Sequence, residues 1–281
     1  MYTTLISTAD LAACLADAPL VIVDVRHDLM QPEHWGENAY RVSHIPGARF
    51  AHLDHDLSAH KTGKNGRHPL PAPEVAAATF GRWGIGKDTQ VVAYDAQTGV
   101  FASRLWWMLR WLGHDAAAVL DGGFDKWTRE GRPVTAEVPV VTPAKFPIRR
   151  VAPVVDTNAV LASRGDGSLV LVDARAPERF RGELEPMDPV AGRIPGSLNR
   201  PASQNLGADF TFKPAAQLRA EYEQLLHGTP TDRVVHSCGS GVTACHNVLA
   251  MEVAGFAGTR LYPGSWSEWI VDPSRPIARG R

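Results

Sequence analysis

The sequence predicts an α/β protein of two tandem domains, each a parallel sheet with helices on both faces. Short, almost wholly apolar runs at residues 21–23, 91–93 and 118–120 alternate with helical patterns, of which residues 101–112 are the clearest. Apolar strands joined by crossover helices are typical of parallel sheets covered on both faces. The second observation is that one series of motifs occurs twice along the chain.

The repeat preserves the order of its motifs and nearly preserves their spacing. The matching segments are 20–26 with 169–175, 44–48 with 193–197, 91–92 with 234–235, 122–127 with 264–269, and 132–133 with 275–276. Chance similarity would not preserve both properties, so we infer duplication of a domain of about 130 residues.

The boundary between the copies is predicted from proline. Prolines at positions 139, 143, 147 and 153 disfavour both helix and central strand. We therefore expect a first domain at residues 1–138, an extended linker at 139–153 and a second domain at 154–281.

The composition is that of a soluble globular protein. The chain has 281 residues, of which 44% are hydrophobic and 21% charged, with a net charge of −1. Such a charge favours neither nucleic acid nor a membrane surface as a partner. No apolar stretch approaches the ~20 residues of a membrane helix, and no secretory signal is evident. Three cysteines argue against a disulfide framework and for a reducing compartment, so we expect a cytoplasmic protein.

The segment from Cys238 to Ala244 carries the main chemical signal. It lies between the apolar pair 234–235 and a helical pattern that ends near Gly255. Two glycines, Gly239 and Gly241, allow the loop to curl so that its backbone N–H groups converge. The positive end of the helix dipole adds partial positive charge at the point where these N–H groups converge. A sulfur anion on Cys238 would be held there, and the thiolate is the reactive form of cysteine.

The first copy differs at this position. Alignment of the two strand–loop–helix units places Asp95 opposite Cys238, in a loop that is one residue longer. A carboxylate cannot accept a sulfur atom, and it would repel an anionic substrate. We therefore expect the first domain to be catalytically inactive and the second to be catalytic.

Two other site classes fit poorly. A cysteine phosphatase or arsenate reductase needs an arginine to close a Cys-x5-Arg loop, and position 244 is alanine. Cys238 and Cys245 lack the close pairing of zinc ligands, and Cys14 and Cys245 lie in helical patterns without a glycine loop. We expect no metal and no cofactor.

Over essentially its whole length the chain resembles the tandem-domain sulfurtransferases of the rhodanese superfamily. The matching marks are the Asp-x-Arg motif and the Ile-Pro-Gly turn in each half, the Trp near each domain end and the loop at 238–244. The loop Cys-Gly-Ser-Gly-Val-Thr resembles that of 3-mercaptopyruvate sulfurtransferases. Thiosulfate sulfurtransferases typically carry two basic residues where this chain has Gly239 and Ser240. The resemblance implies two rhodanese-like domains.

It also implies a reaction. Sulfane sulfur would pass from 3-mercaptopyruvate through a Cys238 persulfide to cyanide or a thiol acceptor, such as thioredoxin or a low-molecular-weight thiol. Two alternatives stay open: a thiosulfate sulfurtransferase with the same mechanism, and a persulfide carrier without turnover. Nucleic acid and membranes are not expected partners.

The predicted substrate site combines the loop with one arginine. Arg179 matches a substrate-carboxylate arginine of the family, and its planar fork suits a carboxylate. The loop residues Gly239, Gly241, Val242 and Thr243 complete the binding set. The family often has a second arginine where this chain has Met187; Arg181 and Arg193 are candidates to replace it.

A serine–histidine–aspartate relay is proposed for the mercaptopyruvate type. By position it would consist of Ser240, His68 and Asp56, with the last two contributed by the first half. Its role would be to protonate the leaving enolate or to hold the substrate carbonyl. The alternative is that His68 is a solvated histidine in a polar loop. A further hypothesis makes His236 the base for Cys238, since the two alternate along one strand.

Overall fold

The computed structural model describes residues 1–17 and 19–280 and divides into two compact units. The first unit comprises Met1–Ala59, Pro71–Ala152 and Ala208–Phe212, and the second comprises His60–Leu70, Pro153–Gly207 and Lys213–Arg281. The segment 60–70 thus groups with the second unit and the segment 208–212 with the first. Among the described residues, no helix has both the length and the apolar character needed to cross a bilayer.

The first unit contains a five-stranded sheet whose pairings are all parallel. The strand order is β1-β5-β4-β2-β3. The strands are β1 (Leu5–Ile6), β2 (Leu20–Asp24), β3 (Arg49–Phe50), β4 (Gln90–Tyr94) and β5 (Ala117–Leu120). Nearly every residue of β2, β4 and β5 is buried, as expected for strands covered on both faces.

The helices of the first unit begin and end where local sequence favours it. They are α1 (Thr8–Cys14), α2 (Trp35–Val42), α3 (Pro73–Arg82), α4 (Ala102–Trp111) and α5 (Gly123–Arg129). The Ser7 hydroxyl caps α1 by accepting the N–H of Asp10. Proline at the first position of α3 removes a donor that would have no helical partner. Helix α4 is followed by Gly113, whose φ of +84° suits glycine.

The second unit contains a four-stranded sheet, again with all pairings parallel. The strand order is β7-β6-β8-β9. The strands are β6 (Val170–Asp173), β7 (Leu198–Asn199), β8 (Val234–Ser237) and β9 (Arg260–Leu261). Strand β8 is buried along its whole length, so its end delivers the following residues to the centre of this unit.

Helices and short 3-10 segments surround this sheet. The helices are α6 (Thr157–Asp166), α7 (Pro177–Arg181), α8 (Ala215–Leu226), α9 (Thr243–Val253) and α10 (Ser265–Trp269), and the 3-10 turns are Ala202–Asn205 and Thr231–Arg233. Leu171 and Val235 pack with the buried rings of Tyr262, Trp266 and Trp269 in one apolar cluster. The predicted fold class, two parallel-sheet domains with helices around them, is confirmed.

The Asp-x-Arg motif has the same role in both units. Arg26 binds Asp24 and Arg175 binds Asp173, each with 2.7 Å between Nη2 and Oδ2. Each arginine also donates from Nη2 to a carbonyl next to the Ile-Pro-Gly turn, that of Ser43 or that of Gly192. These groups are buried, so loss of either partner would leave an unpaired charge in the core. The motif therefore fastens the end of a central strand to a turn.

The repeated tryptophans are likewise structural. Trp127 and Trp269 are fully buried, and their indole N–H groups donate to the carbonyls of Pro133 and Pro276 at 2.8 and 3.0 Å. A buried indole needs such an acceptor. The Arg-Pro repeat thus supplies the same partner to the same ring in each unit.

The proline-rich segment between the repeats forms neither helix nor strand from residue 136 to residue 156. Its backbone is bonded along the first unit, where Ala144 donates to Gly81, Arg149 to Leu112 and Ala152 to Trp111. The absence of helix and strand is consistent with the effect of proline on both. The burial of the Phe146 side chain within this segment was not predicted.

The loop after β4 is closed by its own carboxylate. Asp95 is 2% exposed, and its two oxygens accept the backbone N–H groups of Gln97, Gly99, Phe101 and Ala102 at 2.8–3.3 Å. Burial, the larger effect, raises the pKa of this carboxyl, and the four donors oppose that rise. The N–H groups that could have held a ligand are therefore bound internally.

We predict that Asp95→Asn destabilises the protein by about 1–3 kcal/mol. Asparagine replaces one carboxylate oxygen with an NH₂ group, which cannot accept the hydrogen bonds of the two backbone N–H groups that donate to that oxygen. Urea denaturation measures the change. Asp88→Asn is the control, since Asp88 is exposed. An Asp95→Asn protein as stable as the control would show that these hydrogen bonds do not stabilise the fold.

Candidate active site

The candidate nucleophile lies between a buried strand and a helix, as predicted. Cys238 directly follows β8, and the loop continues to Val242, where α9 begins with Thr243. The thiol is almost wholly buried, and Cys238 Sγ accepts the backbone N–H of Gly241 at 3.2 Å. This arrangement stabilises negative charge on sulfur with main-chain donors.

Glycine is required at position 241. Its φ is +77°, and a Cβ there would lie 2.2 Å from the carbonyl oxygen of Pro263. Both the left-handed backbone and the close approach exclude other residues. The donor to Cys238 Sγ is thus fixed by two independent constraints. Val242, the last loop residue before α9, is buried.

The start of α10 holds the loop from the other side. Ser265 Oγ accepts the N–H of Cys238 at 3.0 Å. The carbonyls of Cys238 and Gly239 accept the N–H groups of Trp266 and Ser267 at 3.0 and 2.8 Å. The N–H and carbonyl of Cys238 and the carbonyl of Gly239 are therefore paired with α10, and these hydrogen bonds restrain the loop.

Residues 66–68 also belong to this site. The N–H of Arg67 donates to Ser267 Oγ at 3.0 Å, and His68 Nδ1 lies 2.7 Å from Ser240 Oγ. Gly66, with φ of +80°, packs against the carbonyl oxygen of Gly264. His68 and Ser240 are buried and hydrogen-bonded, so His68 is not a solvated loop histidine.

Asp56, the third member of the predicted relay, lies in the first unit. Its Oδ2 accepts the N–H of His52 at 2.8 Å, and its Oδ1 lies 3.9 Å from Arg82 Nη2. Burial raises the pKa of this carboxyl, and the His52 N–H and Arg82 oppose the rise. Participation of Asp56 in a relay stays a prediction.

Arg179 occupies the predicted position beside the loop. Its Nη2 would lie 3.4 Å from a Cβ on Gly239. Glu185 binds the guanidinium, with 2.7 Å from Nη2 to Oε1, and Asp188 Oδ2 lies 3.2 Å from the same nitrogen. Burial tends to raise the pKa of Glu185, and Arg179 holds it below its ordinary value. Carboxylates thus fix the orientation of Arg179.

A second guanidinium, that of Arg67, lies at the same place and was not predicted. Its Nη2 would be 2.8 Å from a Cβ on Gly239, and its Nη1 pairs with Asp188. Burial, the largest effect, raises the pKa of Asp188 above its ordinary value, and attraction to Arg67 and Arg179 opposes that rise. Arg67 stands next to His68, which the sequence had singled out, but a charged residue in a polar loop carries no signal of its own.

The two arginines that the sequence offered as replacements for a second family arginine are engaged elsewhere. Arg181 binds Glu183, with 2.7 and 2.8 Å between their nitrogen and oxygen atoms. Arg193 donates to the carbonyl of Gly280 at 2.7 Å. Met187, where the family often has arginine, is followed by Asp188, which binds both loop-side guanidiniums.

A third cation lies beneath the site. The side chain of Arg175 is 1% exposed and binds Asp173 and Glu185. Burial acts to lower its pKa, but attraction to Asp173, Glu185 and Cys238 raises it above the ordinary value. Arg175 therefore carries a positive charge at physiological pH.

His236 does not support the hypothesis that it acts as a base. Its ring is fully buried, and neither nitrogen has a hydrogen-bond partner among the described residues. Burial lowers its pKa to about 3. The imidazole is therefore neutral at physiological pH and does not bind Cys238.

All three cysteines are free thiols. Cys245 is buried in α9 and donates to the carbonyl of Gly241 at 3.3 Å, while Cys14 donates to Leu11 within the first unit. Among residues 1–17 and 19–280, no group of three or more His, Cys, Asp or Glu side chains could hold a metal ion.

Comparison with known proteins agrees with this arrangement. The family described as rhodanese-like domain matches residues 7–130 and 156–272. The chain is 47% identical to a Pseudomonas aeruginosa protein named "Probable 3-mercaptopyruvate sulfurtransferase", covering 98% of each chain. It is 34% identical to the thiosulfate sulfurtransferase of Cricetulus griseus, covering 86% of this chain and 83% of that protein.

Solved structures show the same likeness in three dimensions. The 3-mercaptopyruvate sulfurtransferase from Leishmania major superposes with a TM-score of 0.82 at 28% identity, over 95% of this chain and 74% of that one. Both halves of the sequence match one domain family, and both contain the repeated motifs. The chain therefore belongs to the rhodanese-like domain family, with one such domain in each half.

Proposed function

We propose that this protein is a sulfurtransferase that moves a sulfane sulfur from 3-mercaptopyruvate to a thiol or cyanide through a persulfide on Cys238. The observation that carries the proposal is the buried Cys238 Sγ, which accepts a backbone N–H at the start of α9 and lies near the Arg175 cation. The names of the relatives, mercaptopyruvate and thiosulfate sulfurtransferases, support the same chemistry.

In the first step, the Cys238 thiolate attacks the sulfur of 3-mercaptopyruvate. An S–S bond forms and the carbon–sulfur bond breaks, and its electron pair passes to the pyruvate enolate. A proton on the carbon then gives pyruvate and leaves Cys238 as a persulfide. The hydroxyl of Ser240, hydrogen-bonded to His68, is placed in the loop to supply or relay that proton.

In the second step, an acceptor thiolate attacks the outer sulfur of the persulfide. The S–S bond breaks, its electrons return to Cys238 as thiolate, and the acceptor leaves as a persulfide. We propose a thiol acceptor, such as thioredoxin or a low-molecular-weight thiol, with cyanide as a laboratory substitute. Free cysteines support a reducing compartment, and we propose the cytoplasm.

We assign catalysis to the second domain alone. In the first domain, the carboxylate of Asp95 already accepts the loop N–H groups that would otherwise stabilise a sulfur anion. That loop also lacks a nucleophile, since Asp95 stands where the second domain has Cys238.

The second candidate function is thiosulfate sulfurtransfer through the same persulfide. A relative with that name favours it. A stoichiometric persulfide carrier would differ from both, since it would load one sulfur and show no multiple turnover.

We predict that Cys238→Ser abolishes turnover and the gain of one sulfur mass after incubation with donor, because the nucleophile is lost. Steady-state assay and intact-protein mass spectrometry measure the two effects. Cys14→Ser and Cys245→Ser are controls and should behave like the parent, since neither thiol lies at the loop N–H groups. Retained turnover in Cys238→Ser would refute the mechanism.

We predict a higher kcat/KM for 3-mercaptopyruvate than for thiosulfate under one acceptor. Arg67 and Arg179 are each paired with a carboxylate, so the loop offers donors for one substrate carboxylate but little net positive charge for a dianion. Arg179→Ala should chiefly weaken mercaptopyruvate use. If the parent uses thiosulfate at least as well, the second candidate function replaces the first.

We predict that Ser240→Ala slows persulfide formation from mercaptopyruvate by about 100-fold. Formation from thiosulfate should be nearly unchanged, because sulfite leaves without needing a proton on carbon. Single-turnover mass spectrometry measures both rates. Ser163→Ala, which removes another buried hydroxyl of the second unit, is the control. Equal slowing with both donors would assign Ser240 to support of the loop instead.

A further inference from the structure

We propose that Arg67 is a specificity-determining residue that binds the substrate carboxylate together with Arg179. It would provide from the segment 60–70 the charge that Met187 does not provide. The inference rests on the proposed function, and it concerns which residues recognise the donor.

The guanidinium groups of Arg67 and Arg179 both lie beside the loop that contains Cys238. Nη2 of Arg67 and Nη2 of Arg179 would lie 2.8 and 3.4 Å from a Cβ on Gly239, so both guanidiniums lie against the residue that follows Cys238. Glycine leaves that space open. An anionic donor whose sulfur approaches Cys238 would meet both forks.

Arg67 has N–H donors that no described residue accepts. Arg67 Nε is buried and has no hydrogen-bond partner among the described residues. Arg67 Nη1 alone of its side-chain nitrogens pairs with a described carboxylate, that of Asp188. A buried donor without a partner is costly to the fold unless a ligand satisfies it. A carboxylate accepts two parallel N–H groups of one guanidinium, which fits the vacant donors.

The Arg67 side chain is held in place before any substrate binds. Asp188 is buried and binds Arg67 through Oδ1 and Arg179 through Oδ2, so one carboxylate holds two like charges side by side. The Arg67 backbone is fixed on Ser267, and the next residue, His68, is fixed on Ser240. The Arg67 side chain is therefore restrained by its backbone at one end and by the Asp188 carboxylate at the other.

The experiment compares 3-mercaptopyruvate, which carries a carboxylate, with its methyl ester, in which that negative charge is replaced by a neutral ester. The parent is assayed first; absence of turnover with the acid would refute the proposed function itself. In Arg67→Met, we expect kcat/KM for the acid to fall about 10- to 100-fold, mainly through KM, as for loss of a charged hydrogen bond. The value for the ester should stay close to that of the parent.

Lys64→Met is the matched control, because it removes an exposed positive charge from the same segment. It should leave both donors unaffected. If Arg67→Met lowers acid and ester equally, Arg67 only supports the loop, and the inference is wrong. It is also wrong if an active parent and Arg67→Met share the same ratio of acid to ester kcat/KM.

Discussion

Convergent backbone N–H groups after a central parallel strand need an electron-rich acceptor, and the rest of each domain is arranged around that need. In the first unit the acceptor is the Asp95 carboxylate, which takes four such donors. In the second unit it is Cys238 Sγ beneath Gly241. The same scaffold thus gives a loop closed by a carboxylate in one copy and a loop whose N–H contacts a thiol sulfur in the other.

The loop from Cys238 to Val242 must also be held in one conformation while the space beside Cys238 stays open. Gly241 approaches the Pro263 carbonyl too closely for any Cβ, and Ser265 accepts the N–H of Cys238. The buried guanidinium of Arg175, which forms a salt bridge with Asp173, adds a positive charge that interacts with Cys238. Under the proposed function, the donor would therefore be recognised by side chains from other segments, such as Arg67 and Arg179.

Sequence alone predicted the fold, the repeat and the cysteine loop, because each depends on local patterns: apolar strands, glycine turns and helix starts. It did not predict Arg67, because its contacts with Asp188 and the loop join segments far apart in the chain.

The Gly241 N–H contacts sulfur in the second unit where loop N–H groups hold the Asp95 carboxylate in the first, and this correspondence is the central claim. A crystal structure of the protein after treatment with 3-mercaptopyruvate, without acceptor, tests it most directly. The account predicts one added sulfur per chain, bonded to Cys238 Sγ and within hydrogen-bonding distance of the loop nitrogens, with Asp95 unchanged. An added sulfur turned away from those nitrogens, or bound at another cysteine, would contradict it.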